Sequence, residues 1–315
     1  MNVASEMGGA FMNPSKCDAD DNLYIRKYAM DRPLLSPVAK INREGKRTAL
    51  FDPVAFSQLQ LDRADAFSPA LDGGLYQIAS AGILKPQIYV ILFSFDGSPS
   101  SPIRLDADFE PYQFALFPSG NLLVSGMQRD LWNKSDPGRP FTAVFSADGR
   151  LQAQLSLEPP LGPAETQGKS AGKATAKATR VDTPKSAPSL DLSDAEVGSD
   201  GNIYALRRSS PALVYVISPA GKIVRTLKVS APVAGVMPEA FHVSKNRMAV
   251  SFWNDDDQSR VVVVSDAQTG QGIATYSGSA ELGQSFACYS ADDGVFTFLH
   301  LGEKNELEVV RAEAR

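Results

Sequence analysis

The sequence predicts an all-β protein, a six-bladed β-propeller of four-stranded antiparallel blades with a low-complexity insertion between blades 3 and 4. Three observations lead there. A turn-then-strand signal recurs six times, a hairpin signal follows it in five of the six repeats, and helical periodicity is absent.

The first signal is an often acidic turn, then Asn or Gly, then a short apolar strand. It is clearest as DDNLYI at 20–25 and DGNIYAL at 200–206. Weaker copies are DGGLYQI at 72–78, PSGNLLV at 118–124, SKNRMAV at 244–250 and DDGVFTF at 292–298. The copies recur every ~45–52 residues, close to the length of a propeller blade, apart from one interval of about 81 residues. That interval holds 159–191, PPLGPAETQGKSAGKATAKATRVDTPKSAPSLD, which has almost no large apolar side chains and cannot bury a core. Without it the interval is ordinary, and 159–191 is expected to be a flexible, locally basic insertion.

The second signal is an apolar strand, a polar turn usually containing Gly, and another strand. It reads KINREGKRTALF at 40–51, LFSFDGSPSSPIRL at 92–105, VFSADGRLQAQL at 144–155, VISPAGKIVRTL at 216–227 and VVSDAQTGQGIATY at 263–276. A short apolar segment before each first signal, such as FALF at 114–117 or FACY at 286–289, completes four strands per repeat. The expected blades are approximately 11–53, 65–106, 113–158, 192–230, 238–279 and 283–315 of a single domain, residues 1–315. Too few residues follow ELEVVRA at 306–312 for a fourth strand in repeat six. Either the N-terminal residues supply that strand or the sixth blade has three.

The D-x-D-G-N-Φ-Y turn and the D-G hairpins resemble those of the NHL-repeat propellers, and more distantly of the gluconolactonase-like six-bladed hydrolases. The resemblance covers nearly the whole chain outside 159–191. It departs from the NHL pattern where SPALVYVI at 210–217 and SRVVVVS at 259–265 replace the usual Asn-Arg-Ile segment. The gluconolactonase resemblance implies a carboxylate and amide cluster around one divalent metal at the channel mouth. Glu110, Glu239 and Asn254 lie on the appropriate face, and no ligand set is assigned to them.

Composition narrows the function classes. The formal net charge is −5, which provides no general positive field for nucleic acid or anionic lipid. Two cysteines and two histidines cannot build a disulfide-rich scaffold or a Cys/His zinc site. Cys17 and Cys288 fall in repeats one and six, neighbours in a closed ring. Repeat alignment sets Cys17 opposite Tyr289, so buried free thiols are expected rather than a disulfide. His242 and His300 are expected to be structural or rim residues. No membrane-length apolar run and no signal peptide are present in the chain as given, and an extracytoplasmic site remains open to a processed protein.

Binding is expected on the face where the second-to-third-strand loops and the blade-to-blade loops emerge. Long loops at 52–66, 127–140 and 159–191 mark it. Candidate anchors are Arg129, Trp132, Arg207, Arg208 and Trp253, since Trp and Arg dominate recognition surfaces. The run Asp255 to Asp257 lacks the spacing and the Gly of a calcium loop. No G-x-S-x-G, P-loop or G-x-G-x-x-G occurs. The leading expectation is a monomeric, non-catalytic module that binds a protein, peptide or glycan and needs no cofactor. The alternatives are a metal-dependent lactonase or ester hydrolase with its site in the channel, and a structural component of an envelope assembly.

Overall fold

The computed structural model of the protein describes residues 11–82, 86–129, 136, 138–155, 157, 192–233, 236–254, 258–279, 285–303 and 307–313. Six antiparallel sheets follow one another along the chain, each a simple meander. Blade 1 comprises β1 (Phe11–Cys17), β2 (Leu23–Lys27), β3 (Val38–Ile41) and β4 (Arg47–Phe51). Blade 2 comprises β5 (Arg63–Pro69), β6 (Leu75–Ala81), β7 (Gln87–Phe93) and β8 (Ile103–Arg104). Blade 3 holds β9 (Glu110–Leu116), β10 (Leu122–Gln128), β11 (Arg139–Phe145) and β12 (Leu151–Leu155). Blade 4 holds β13 (Leu192–Val197), β14 (Ile203–Arg207), β15 (Ala212–Ile217) and β16 (Ile223–Val229). Blade 5 is β17 (Pro238–Ser244), β18 (Arg247–Asn254), β19 (Ser259–Asp266) and β20 (Gly272–Ser279). Blade 6 is β21 (Ser285–Ser290), β22 (Val295–Leu301) and β23 (Leu307–Glu313). The first strands of successive blades touch one another all the way round, β21 against β1 included, so they line the axis of a closed ring.

Burial follows from this arrangement. A middle strand is covered on both faces by neighbouring blades, so β19 is buried at six successive positions, Arg260 to Ser265, with the unbroken apolar run Val261 to Val264 at their centre. An outer strand has one wet side, and β16 alternates accordingly. The apolar side chains sort into six clusters, one at each blade-to-blade seam. Alternation lets one strand serve two seams. In β2, Leu23 and Ile25 face blade 6 while Tyr24 faces blade 2.

The recurring acidic-Asn-Tyr signal is a fastener between blades. In blade 4, Asp200 accepts from the Asn202 backbone (3.1 Å), the Asn202 amide (2.9 Å) and the Tyr204 hydroxyl (3.1 Å). The same hydroxyl lies 3.2 Å from the Ala267 carbonyl of blade 5. Blade 1 repeats the device, with Tyr24 reaching Asp18 at 3.1 Å and the Gly73 carbonyl of blade 2 at 3.0 Å. The hairpin glycines also hold neighbours close. Gly149 has φ +85, and a Cβ there would stand 2.0 Å from the Arg104 carbonyl oxygen of blade 2.

Residues 159–191, expected to be a flexible insertion, lie outside the described residues, as do 1–10. What is described places that segment between β12 of blade 3 and β13 of blade 4. The described part of blade 6 is three-stranded.

The expectation of free thiols is corrected. Cys17 and Cys288 form a disulfide joining the innermost strands of blades 1 and 6 across 271 positions of sequence. Repeat alignment missed it because equivalent positions of two repeats need not be the ones that meet across a seam, and the Cα atoms of Cys17 and Cys288 stand 6.1 Å apart, within bonding reach. Replacing both cysteines with serine is expected to lower stability by about 2–5 kcal/mol, read as a fall in the urea midpoint. Thiol titration of the denatured, unreduced wild type should find no reactive cysteine.

Candidate functional site

First strands begin, second strands end and third strands begin on one face of the ring. The candidate anchors and the open end of the axis therefore share that face. Two sets of charged side chains organise it, one within the axis and one at its mouth.

The axial set joins three blades. Lys16 projects from β1 and bonds Asp194 of β13, on the blade opposite in the ring, and the Ala195 carbonyl at 2.8 Å. Its ammonium also lies 3.9 Å from Glu196, whose other oxygen is 3.0 Å from His242 Nδ1 of β17 and accepts the Val243 backbone N–H at 2.9 Å. Lys16 and Asp194 are each only 3% exposed, so the cluster fills this part of the axis with charge removed from water. Burial pushes the Asp194 carboxyl up to about 6, with Lys16 opposing and Glu196 reinforcing the rise. Burial also disfavours the ionised forms of Glu196 and His242. Their mutual attraction outweighs it, holding the carboxyl low and the imidazole high.

At the mouth, Arg63 donates from Nε to Asp65 at 2.5 Å and from Nη1 to Glu110 at 3.4 Å. The Tyr112 hydroxyl donates to the other Glu110 oxygen at 3.0 Å. Burial raises the Asp65 carboxyl despite the adjacent Arg63. On blade 5 the Arg260 guanidinium, 1% exposed, bonds Glu239 and the Ser251 hydroxyl (2.8 Å), and lies 5.1 Å from the centre of the Trp253 ring.

The candidate anchors divide between these settings. Trp253 is half-buried with its ring over Arg260. Arg207 donates from Nη1 to the Leu157 carbonyl (3.2 Å) and the Tyr215 hydroxyl (3.3 Å). Arg129 and Arg208 are exposed. Trp132 and the Asp255 to Asp257 run lie outside the described residues. Glu110 and Glu239 stand on different blades, each with its own arginine, and Asn254 ends β18. They do not fit a shared metal, and among the described residues no three His, Cys, Asp or Glu side chains converge as a metal set. The loop at 52–66 is largely structural. Phe56 from its 3-10 turn is buried in the seam between blades 1 and 2, and Asp52 caps Val54 (3.1 Å) while pairing with Arg32 (2.6 Å).

Sequence reasoning missed the axial set. Its one local trace is Asp194 and Glu196 at alternate positions of an innermost strand, which aims both carboxylates at the axis. Lys16 shows no sign of its partner, which lies 178 positions away.

No protein-family profile matches the chain, and no curated protein does. Solved structures are similar at low identity. Virginiamycin B lyase from Staphylococcus aureus is 12% identical, with 100% of this chain and 88% of that one covered and a TM-score of 0.48. The periplasmic gluconolactonase of Pseudomonas aeruginosa is 14% identical, with coverage of 95% and 85% and a TM-score of 0.48. A putative TolB from Agrobacterium tumefaciens is 12% identical, with coverage of 85% and 81% and a TM-score of 0.48. Enzymes stand among these neighbours, and no activity is carried from them to this chain.

The axial cluster gives stability a pH signature. His242 is raised from 6.5, so the stabilisation from its charged form is complete below that value and fades as pH rises through the folded value. Glu196, lowered from 4.5, contributes above that value and loses its contribution in acid. Asp194 opposes, because ionising it between 3.8 and about 6 costs stability. The unfolding free energy should therefore decline as pH rises above 6.5, by at most ~1.4 kcal/mol per pH unit for this one proton. His242→Gln should flatten that decline in urea titrations across the range, and an unchanged slope would assign the proton elsewhere.

Proposed function

We propose that this propeller is a non-catalytic binding module of an oxidising compartment, recognising a protein, peptide or glycan on its loop-rich face. The observation that carries the reading is charge pairing in and around the axis. Asp65 and Glu110 are held by Arg63, Glu239 by Arg260, Asp194 by Lys16 and Glu196 by His242. A general base or a metal ligand needs a carboxylate oriented toward the reacting centre. These carboxylates are oriented toward cations of the scaffold. Arg129 and Arg208, by contrast, project from the rim. The Cys17–Cys288 disulfide supports the compartment, since such bonds persist where thiols are not kept reduced.

The test is an array of glycans and peptides probed with the oxidised, full-length protein. Arg129→Ala combined with Trp132→Ala should abolish capture of whatever ligand is found while leaving the melting temperature unchanged. Retained capture overturns the assignment of the face. The wild type should also melt at the same temperature with and without chelator. A chelator-induced drop, with a stoichiometric divalent ion by elemental analysis, would favour a metal-dependent hydrolase instead.

A further inference from the structure

We propose that the loop-rich face of blades 3 and 4 docks an acidic, extended peptide segment through Arg129, Arg139, Arg207 and Arg208. The inference rests on the binding reading above and adds the partner's chemistry.

Around the rest of that face Arg63 has Asp65 and Glu110, Arg260 has Glu239 and Arg32 has Asp52. Arg129, Arg139, Arg207 and Arg208 have no carboxylate at ion-pair distance among the described residues, and three of them are exposed. They belong to adjoining blades, Arg129 and Arg139 at the β10 to β11 connection, Arg207 and Arg208 at the end of β14. On a chain of net charge −5 these four form a cluster of cations, with Asp108 and Asp136 the described acidic side chains on the neighbouring connections. The chain leaves blade 3 and enters blade 4 at the same place.

The arginines are also positioned. The Arg129 stem lies over Gly138, where a Cβ would stand 2.7 Å from its Cγ, and Arg139 pairs with Gln128 in the ladder. Arg207 is fixed through Nη1 alone, which leaves the rest of its fork for a ligand. A guanidinium fork matches a carboxylate in two-point geometry.

The spacing favours a peptide. Facing sheets pack about 10 Å apart, while an extended chain rises ~3.3 Å per residue and repeats a side every second residue. A short run with acids at alternate positions would present its carboxylates along one side, toward both arginine pairs. Among the described residues of blades 3 and 4 the aromatic rings are buried or half-buried, and the Tyr112 and Tyr215 hydroxyls are already engaged.

The experiment titrates a labelled Glu-Ser repeat peptide into the full-length protein at low and physiological salt, with a Gln-Ser repeat and polygalacturonate alongside. Binding of the Glu-Ser peptide should weaken steeply with salt and fall at least ~10-fold in Arg139→Glu/Arg208→Glu, an exposed pair whose loss spares the seams. Arg150→Glu, on the opposite face, should bind as wild type does. No Glu-Ser binding at low salt, or binding indifferent to Arg139→Glu/Arg208→Glu, overturns the proposal. Tighter, arginine-dependent binding of polygalacturonate overturns it in favour of an anionic glycan. The two readings separate cleanly. An array ligand that needs Arg129 and Trp132 but binds Arg139→Glu/Arg208→Glu normally leaves the binding face standing and removes the acidic partner, whereas a wild type that captures nothing removes both.

Discussion

No blade of this protein has a core of its own. The apolar side chains form six clusters, and each is made by two adjoining sheets. A single four-stranded sheet would leave both faces in water, so every blade needs two neighbours and the set is satisfied only when the ring shuts. The seam between blades 6 and 1 is therefore different in kind from the other five. The other seams are made by sheets that are consecutive in the chain, while this one joins sheets from its two ends and is crossed by the disulfide. The Asp-Asn-Tyr fasteners and the hairpin glycines register sheets that closure has already brought together.

Charge follows a related division. Inside the axis, Lys16, Asp194, Glu196 and His242 neutralise one another across three blades. Buried pairs of this sort add little net stability, because desolvation offsets most of their attraction, but removing one partner leaves an uncompensated charge in a dry place. The rim over blades 3 and 4 is the reverse case. Arg129, Arg139 and Arg208 there are exposed and have no carboxylate at ion-pair distance among the described residues, which costs the fold nearly nothing and leaves them available to something outside it.

The parts of this architecture legible in sequence are those whose causes are local. A turn such as Asp200 to Tyr204 is written within five residues, and its recurrence gives both the sheet count and the place of the 159–191 interruption. Gly149 needs its positive φ for a hairpin that can be read without knowing what it packs against. The misread or invisible features have distant causes. Cys17 and Cys288 meet because ring closure sets two strands 271 positions apart side by side, where the facing positions are not the equivalent ones of a repeat alignment, and Lys16 finds Asp194 only because the ring places blade 1 opposite blade 4. The rim arginines were legible as residue types on a face. That Trp253 is committed to Arg260, and that Arg129 and Arg208 have no carboxylate partner among the described residues, depends on neighbours that only the folded chain supplies.

The disulfide changes what it means to cut this protein. Residues 159–191 join blades 3 and 4, and the two halves of the chain on either side hold three blades each. Cleavage in that joining segment leaves the halves attached through Cys17 and Cys288, because the covalent path runs the other way round the circle. The nicked product is a two-chain propeller with its seams intact, and only a reductant turns the cut into a separation. Proteolysis in an oxidising compartment would thus yield a mature two-chain form rather than fragments, with fresh termini next to the arginine-rich rim.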